Sequence, residues 1–369
     1  MGGATVIPPV SAQNGELFRE TIDDGGATAS VSESGSIIAF GVYPGTARAY
    51  IATDSNDYEA VEFVLPGDSS GFPVSHVAVT EETNTIVAAA MDVDVFGGGN
   101  LDDAGGLIGT PSTEAEWAYE QPGLWDIGVS GDLTTVAAVS NPMDVAPHVG
   151  VVQEGELAWE QPLEDAAGWA VDVSDDGQYI AVACVHIDDG LERSGQPNVR
   201  LYGADGDLLW RHETAEDVLD IAINEDEGIV VAGTDDWSTL AFDLDGELRW
   251  QRDESPTMTV LSGDGTTIVA ESPVTALDSS DGSVLWESEM GNANVVADPM
   301  TVSADGTRVA VSTLDFELFV LENGEPIWEG ENEAGPYYSA ISADGSTLAA
   351  MEVDNDAKNA ALVGYPLGT

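Results

Sequence analysis

Apolar and polar positions alternate along the chain in short runs that are bounded by turn residues. The recurring unit is an apolar strand, a turn of the type Ser-x-Asp-Gly, and a second strand with the core [IVL]-[AV]-[AVF]. No segment carries a sustained helical period, so the pattern predicts an all-β protein. The copies begin at Val31, Val79, Val129, Val173, Ile223, Leu261, Val302 and Ile341.

The spacing of these copies predicts the architecture. They lie about 44 residues apart, and most continue into a further turn and an outer strand centred on tryptophan. Short strands with this period are typical of a β-propeller, so we predict an eight-bladed β-propeller. The recurrence of the tryptophans at one repeat position indicates architectural wedges between blades rather than a binding stripe. They are Trp117, Trp159, Trp210, Trp250, Trp286 and Trp328.

The last unit, from about Gly335, lacks an outer strand. The start of the chain contains one: NGELFRETID, from residue 14, resembles DGELRWQRDE, from residue 245, with Phe18 in the tryptophan position. We therefore predict that an N-terminal strand closes the last blade beside Leu362, because an open ring would leave unpaired edges. Residues 14–369 are then a single propeller, and residues 1–13 are expected to be a flexible arm.

The segment ALDSSDGSVLWESEM, from Ala276 to Met290, resembles the repeat of pyrroloquinoline-quinone-type propellers, A-x-D-x-x-[DT]-G-x-x-x-W. The resemblance implies a quinoprotein-type propeller fold. Catalytic members of that superfamily hold their quinone with a vicinal cysteine pair, and here Cys184 is the single cysteine. The resemblance therefore implies the non-catalytic branch, which includes the propeller lipoprotein of outer-membrane protein assembly, and it predicts no quinone cofactor.

The charge is strongly one-sided. Sixty-eight Asp and Glu residues stand against nine Lys and Arg, for a formal net charge of −59. The acidic residues are scattered among apolar ones, which indicates a folded chain rather than a disordered one. Their mutual repulsion is screened at about 1 M salt, where the Debye length is about 3 Å, so the composition predicts a halophilic protein. Nucleic acid is excluded as a partner, because the few basic residues form no cluster.

The location of the protein is inferred from absences in the sequence. The opening residues have no basic region followed by an apolar core, which argues against a standard secretory signal. No apolar run is long enough for membrane insertion. A compact acidic module without enzyme motifs fits a cell-surface or virus-particle component better than a cytoplasmic protein, with an adhesion or structural role.

Long connections between the second and third strands mark one face. They occur in three consecutive blades, at residues 91–106, 140–148 and 184–198. Insertions in repeat folds usually map to the binding face, so this arc is the predicted site, although neutral loop growth would give the same pattern. We predict that one residue per blade lines the channel mouth on this face: Ala27, Ser75, Trp125, Trp169, Leu219, Thr257, Asp298 and Tyr337.

Aromatic residues at this mouth are the candidate partner-binding residues. Trp125 and Trp169 fall beneath the long loops, and Phe96 lies within one of them; Tyr337 occupies the same position in blade eight. Such side chains inside an acidic rim are typical of a protein contact. Core packing of the same residues is the alternative.

The sequence contains two sets of possible metal ligands. A glycine-rich loop carries oxygen ligands that suit calcium, although the spacing is not that of an EF-hand and acidic clusters arise by chance in such a chain. His148 and His186 occupy adjacent long loops and could share a transition metal, but they lack an H-x-x-x-H spacing. The calcium ligands would be Asp92, Asp94, Asn100, Asp102 and Asp103.

No catalytic residue is predicted, because the chain has neither a G-x-S-x-G elbow nor a P-loop. The leading hypothesis is a non-enzymatic recognition or scaffolding propeller that binds a protein or glycan through its loop-rich face, as part of a larger assembly. One alternative is a carbohydrate-active hydrolase or lyase with carboxylates at the channel mouth. Another is an intracellular assembly platform.

Overall fold

The computed structural model consists of strands and turns. No helix occurs in the ranges it describes, so none there could cross a membrane. The prediction of an all-β protein is confirmed for this part of the chain. The described residues are 3–10, 15–23, 25–43, 45–53, 57–65, 74–90, 95–100, 113–114, 117–121, 123–140, 146–188, 193–253, 258–271, 273–288, 295–313, 317–330, 336–354 and 359–368.

The described residues form a series of antiparallel four-stranded sheets, which we number sheet 1 to sheet 8 in chain order. The chain divides into two compact units, residues 119–292 and residues 1–118 with 293–369. Sheets 3 to 6 belong to the first of these units. Each sheet is a meander in which consecutive strands pair, as the repeat predicts.

The strands of the unit 119–292 are as follows. Sheet 3 contains Leu124–Val129, Thr135–Ser140, His148–Gln153 and Glu156–Pro162. Sheet 4 contains Ala167–Val173, Tyr179–Val185, Asn198–Gly203 and Leu208–Glu213, with a short hairpin of Ile187–Asp188 and Arg193–Ser194. Sheet 5 contains Val218–Asn224, Ile229–Thr234, Ser238–Asp243 and Leu248–Asp253. Sheet 6 contains Thr259–Leu261, Thr267–Ala270, Thr275–Asp278 and Val284–Glu287.

The other unit contains the remaining sheets. Sheet 1 contains Gly26–Val31, Ile37–Val42, Thr46–Ala52 and Tyr58–Val64, extended by Gly3–Val10 and Thr113–Glu114. Sheet 2 contains His76–Thr80, Thr85–Ala90, Val95–Asn100 and Trp117–Glu120. Sheet 7 contains Val295–Val302, Arg308–Thr313, Leu318–Glu322 and Glu325–Glu329. Sheet 8 contains Pro336–Ile341, Thr347–Asp354 and Asn359–Pro366, with Phe18–Ile22 as its fourth strand.

The N-terminal strand completes sheet 8, as predicted. Phe18 is opposite Gly364 and Glu20 is opposite Leu362, and the Leu17 N–H donates to the Gly364 carbonyl at 2.7 Å. Phe18 is fully buried and stacks on Tyr50 with ring centroids 4.0 Å apart. Residues 1–13, expected to be a flexible arm, include the strand Gly3–Val10, which pairs with Tyr58–Val64 in sheet 1.

The second strand of each sheet is buried on both faces. In Ile37–Val42 every residue is buried, and the side chains alternate between two cores. Ile38 and Phe40 pack with residues of sheet 8, whereas Ile37 and Ala39 pack with residues of sheet 2. A strand between two neighbouring sheets has no solvated face, so its sequence is a continuous apolar run rather than an alternating one.

Outer-strand tryptophans connect neighbouring sheets in the unit 119–292. Each ring donates its indole N–H to a backbone carbonyl in the turn before the outer strand of the next sheet. The architectural role predicted for these residues is confirmed for three of them. The hydrogen bonds are Trp159 to Ala204 (2.9 Å), Trp210 to Leu244 (3.0 Å) and Trp250 to Ser279 (2.8 Å).

The same turns contain glycines that the tryptophan rings cover. Gly246 has φ +85°, a conformation that side chains rarely adopt, and a Cβ there would stand 2.7 Å from a ring atom of Trp210. Gly206 and Gly282 stand in the same relation to Trp159 and Trp250, at 2.9 Å. Glycine is therefore needed at these positions for two reasons: it adopts the positive φ of the turn, and it leaves room for the tryptophan ring.

Candidate functional site

The first strand of most sheets contains a β-bulge at the position predicted to line the channel mouth. In each case one residue is left out of the backbone pairing with the second strand. The bulged strands begin at Gly26, Leu124, Ala167, Val218 and Pro336. The residues left out are Ala27, Trp125, Trp169, Leu219 and Tyr337.

Two of these bulges bring Trp125 and Trp169 together. Their ring centroids are 4.9 Å apart, with the planes inclined by 46°. Both side chains are only half-buried. Neither indole N–H donates a hydrogen bond to another described residue. The pair is thus a half-exposed aromatic surface with two available donors, near the start of the first strands of sheets 3 and 4.

The other predicted partner-binding residues are placed only by their backbone. Phe96 lies in Val95–Asn100 and Tyr337 in Pro336–Ile341, and both side chains are outside the described part of the structure. Their membership of the site therefore stays a prediction.

The predicted calcium ligands are also outside this part, except for the backbone of Asn100, which ends its strand. The described residues contain no group of His, Cys, Asp or Glu side chains arranged to hold a metal ion. The calcium site is an untested prediction, and its ligands Asp92, Asp94, Asp102 and Asp103 lie outside the described residues.

Carboxylates link the first strands of neighbouring sheets beside the tryptophan pair. Asp126, which follows Trp125, accepts a hydrogen bond from the backbone N–H of Val171 in sheet 4 at 2.9 Å. Gly128 allows this approach, since a Cβ at this glycine would meet the Asp172 Cα at 2.7 Å.

The same connection is repeated twice. Asp172 in sheet 4 accepts from the Ile223 N–H of sheet 5 at 2.9 Å. Asp220 in sheet 5 accepts from the Thr259 N–H of sheet 6 at 2.6 Å. These carboxylates hold neighbouring sheets together at their inner strands.

Burial perturbs two of these carboxylates. Loss of hydration raises the pKa of Asp172 and of Asp220 to about 7, against the lowering effect of the backbone N–H groups that donate to them. The negative charge of Asp126 raises the pKa of both groups further. Near neutral pH the carboxyl groups of Asp172 and Asp220 are therefore partly protonated.

The two histidines considered as metal ligands have different partners. His186 Nδ1 lies 2.8 Å from the buried Asp217, whose carboxylate also accepts the His186 backbone N–H. His148 Nδ1 lies 3.0 Å from the Ser140 hydroxyl. The His186–Asp217 pair connects the loop of sheet 4 to the start of sheet 5, so this histidine has a structural role.

Sequence reasoning found the tryptophan pair but missed the inner carboxylates. The signal was present, because Asp126, Asp172 and Asp220 each interrupt an apolar first strand. Because the chain has so many acidic residues, an aspartate within a strand is not distinctive. Only the structure shows that backbone N–H groups of the neighbouring sheet donate to these carboxylates.

A family model decides the relationship of the chain to known proteins. The model described as outer membrane protein assembly factor BamB (PQQ_2) matches residues 146–273 and again residues 270–357. The two matches together span more than half of the chain. The chain belongs to this PQQ_2 family. The resemblance seen in the segment from Ala276 to Met290 is therefore confirmed at the level of the repeat family.

Solved structures show that this PQQ_2 member is a β-propeller. The C-terminal WD40 domain of Sif2 matches with a TM-score of 0.71 at 13% identity, covering 96% of this chain and 98% of that one. Saccharomyces cerevisiae Sqt1 matches with a TM-score of 0.66 at 11% identity, covering 97% and 100%. The Cps50 (Swd1) β-propeller domain of Myceliophteria thermophila matches with a TM-score of 0.56 at 12% identity, covering 93% and 98%. No curated protein matches the sequence.

Proposed function

We propose that this propeller is a non-enzymatic recognition module that binds a protein partner, with Trp125 and Trp169 as the anchor. The contact between these half-exposed rings, 4.9 Å apart with no indole N–H donated to the described protein, is the observation that supports the proposal. Aromatic side chains that combine apolar area with a free donor are enriched at the centre of protein contacts. The matched propellers, which include WD40 domains, support the fold on which this proposal is built.

The charge of the chain favours a particular kind of partner. A net charge of −59 repels acidic surfaces, so the partner is expected to offer an apolar patch surrounded by neutral or basic residues. At high salt the charges are screened and the aromatic contact carries most of the affinity. A glycan could also stack on the two rings, and its enzymatic removal from the partner would then abolish binding.

One observation bears on the enzymatic alternative. Carboxylates with a pKa of about 7, such as Asp172 and Asp220, are suited to proton transfer. However, both oxygens of each carboxylate accept backbone N–H groups, from the neighbouring sheet and from the next residue in the chain. This supports a structural role, because a general acid or base needs an oxygen that can reach the substrate.

The test is retention of a partner from a lysate of the source at about 1 M NaCl. We expect the wild-type protein to retain a specific protein, and Trp125→Ala/Trp169→Ala to lose it, while Trp125→Phe/Trp169→Phe keeps part of it. Digestion of glycans before the experiment should leave retention unchanged. Equal retention by the alanine double variant would refute the proposed anchor, and loss after glycan digestion would point to a glycan instead.

We infer eight blades, one for each repeat and each sheet, in a single ring over residues 14–369. The composition supports a high-salt environment, and the absence of enzyme motifs supports a cell-surface or virus-particle component. Imaging of the protein in its native assembly would show where it resides and which face is covered.

A further inference from the structure

The strand that completes sheet 8 places two carboxylates around one arginine. Arg19 donates from Nε and Nη2 to Glu16 Oε1, at 2.9 and 2.8 Å, and from Nη1 to Glu352 Oε2 at 2.8 Å. The Tyr365 hydroxyl donates to the other oxygen of Glu352. The side chains of Glu16 and Glu352 are each 7% exposed, so two buried carboxylates share a single guanidinium.

One carboxylate oxygen in this group accepts no hydrogen bond. Glu16 Oε2 is buried and has no partner among the described residues, although Oε1 of the same carboxylate accepts twice from Arg19. An ionised carboxylate is costly to bury unless it is neutralised and its oxygens accept hydrogen bonds. Glu16 and Glu352 together carry one more negative charge than Arg19 balances. The position at Glu16 Oε2 therefore lacks a positive or donating group.

A second group on the same strand is satisfied by the protein itself. Glu20 also shares an arginine with another carboxylate: Arg48 donates to Glu20 Oε1 at 2.7 Å and to Glu62 Oε2 at 2.9 Å. However, the second oxygen of Glu20 accepts from the Tyr50 hydroxyl at 2.6 Å, and the side chains of Glu20 and Glu62 are 17% and 26% exposed. Glu16 therefore differs from Glu20 both in its deeper burial and in its unused oxygen.

Three kinds of group could satisfy Glu16 Oε2, and they differ in what they leave unsatisfied. A proton removes the charge but makes Oε2 a buried hydroxyl that in turn needs an acceptor. A water molecule supplies a hydrogen bond but leaves the excess charge. A small cation satisfies the oxygen and also neutralises the charge. The net charge of −59 further favours a cation, because the field of the whole protein attracts positive ions.

We propose that Glu16 binds an alkali cation, Na⁺ or K⁺, through Oε2, with water and backbone oxygens as the other ligands. A monovalent ion matches the single charge in excess, and hard cations prefer oxygen ligands. A divalent ion needs more carboxylates, and the described residues contain no group of three acidic, histidine or cysteine side chains that could hold one. The bound cation stabilises the N-terminal strand on sheet 8, so the stability of the fold depends on which cation is in solution.

The test compares cations at one ionic strength. Urea denaturation of the full chain is measured in about 1 M KCl, NaCl or choline chloride, because choline is too large to reach a buried oxygen. A site with a Kd of about 0.1 M raises the ratio of folded to unfolded protein about tenfold at 1 M cation. We expect Glu16→Gln to reduce the difference between the alkali salts and choline by this factor. Glu247→Gln, at the exposed glutamate that holds the same place in DGEL as Glu16 does in NGEL, should keep the whole difference.

A second measurement locates the cation directly. Crystals of the wild-type protein grown in RbCl should show anomalous scattering from rubidium beside Glu16 Oε2, and crystals of Glu16→Gln should not. The proposal is overturned if Glu16→Gln and Glu247→Gln respond equally to the change of salt, or if the site holds only water in the presence of rubidium. None of these residues belongs to the Trp125–Trp169 pair, so the proposed partner binding and the proposed cation site can fail separately.

Discussion

Two groups of tryptophans in the unit 119–292 have opposite surroundings. Trp159, Trp210 and Trp250, on the outer strands, each donate the indole N–H to a carbonyl of the next sheet and cover a glycine of its turn. Trp125 and Trp169, on the inner strands, contact each other and donate to none of the described residues.

The two sets of surroundings separate tryptophans that stabilise the fold from tryptophans that are available for binding. A ring that donates to the next sheet and covers a glycine of its turn contributes to stability, and it recurs because it connects neighbouring sheets. A ring that stands at a bulge, half-exposed, and does not recur around the repeats contributes little to folding. Mutation should therefore lower stability in the first group and binding in the second.

Phe18 should behave as a member of the outer group. It takes the tryptophan position in sheet 8, is fully buried and stacks on Tyr50. We expect Phe18→Ala to lower the free energy of unfolding by about 4 kcal/mol, measured by urea denaturation. Phe18→Leu should lower the free energy of unfolding by less than Phe18→Ala does. A loss below about 1 kcal/mol for the alanine variant would show that the N-terminal strand is not needed for closure.

Trp210→Ala should come next, with a loss of about 3 kcal/mol, because the ring packs against Phe242 as well as donating to Leu244. Trp210→Phe keeps the packing and removes the donor, so we expect this variant to lose about 1 kcal/mol. Denaturation curves of both variants separate the two contributions. Equal losses would mean that the hydrogen bond, not the packing, is the main connection.

Gly246→Ala tests the close approach of the ring, and Gly15→Ala is its matched control. Both glycines have φ +85°, but a Cβ at Gly246 would collide with Trp210 whereas a Cβ at Gly15 meets nothing within 4 Å. We expect a loss of about 2 kcal/mol at Gly246 and about 1 kcal/mol at Gly15 in urea denaturation. Similar losses would show that the ring can move aside.

The inner carboxylates should make the stability of the fold depend on pH. Because folding raises the pKa of Asp172 to about 7, this group stabilises the fold fully below about pH 4 and loses that contribution as the pH rises to about 7. Asp172→Asn should reduce the fall in stability across this range by up to about 4 kcal/mol, since a pKa difference of one is worth about 1.4 kcal/mol. Asp245→Asn removes the same charge from an exposed turn and is the control. An unchanged pH profile in Asp172→Asn would exclude this group as the cause.

The smallest effect on stability is expected from the inner pair. Trp125→Ala/Trp169→Ala should cost less than about 1 kcal/mol, since both side chains are half-buried and have no partner beyond each other among the described groups. Thermal and urea denaturation at high salt give this value. A loss as large as that of Trp210→Ala would assign the pair to the core.

Much of the fold could be predicted from the sequence because it repeats. The turn motif marks the paired strands of every sheet, and the similarity of residues 14–23 to a later outer strand predicted the partner of Phe18. The positions of Trp125 and Trp169 followed from the same alignment. The bulge that brings their rings together could not be predicted, because a residue left out of the strand pairing has no sequence signature within an apolar run.

Two features were missed for physical reasons. The carboxylate of Asp172 is satisfied by N–H groups on another sheet, and a contact of that kind depends on how sheets pack rather than on sequence pattern. Trp237 lies in a short turn between two paired strands, and only its positive φ and its exposure distinguish it. Neither the contact between sheets nor the conformation of this turn can be read from the repeated sequence pattern.

The decisive measurement for the inner tryptophans is the amount of partner retained by Trp125→Ala/Trp169→Ala relative to the wild type, at about 1 M NaCl and with equal amounts of folded protein. We predict a loss of about tenfold or more, as expected when a buried aromatic anchor is removed. Retention equal to that of the wild type would contradict the assignment of the inner tryptophans to binding.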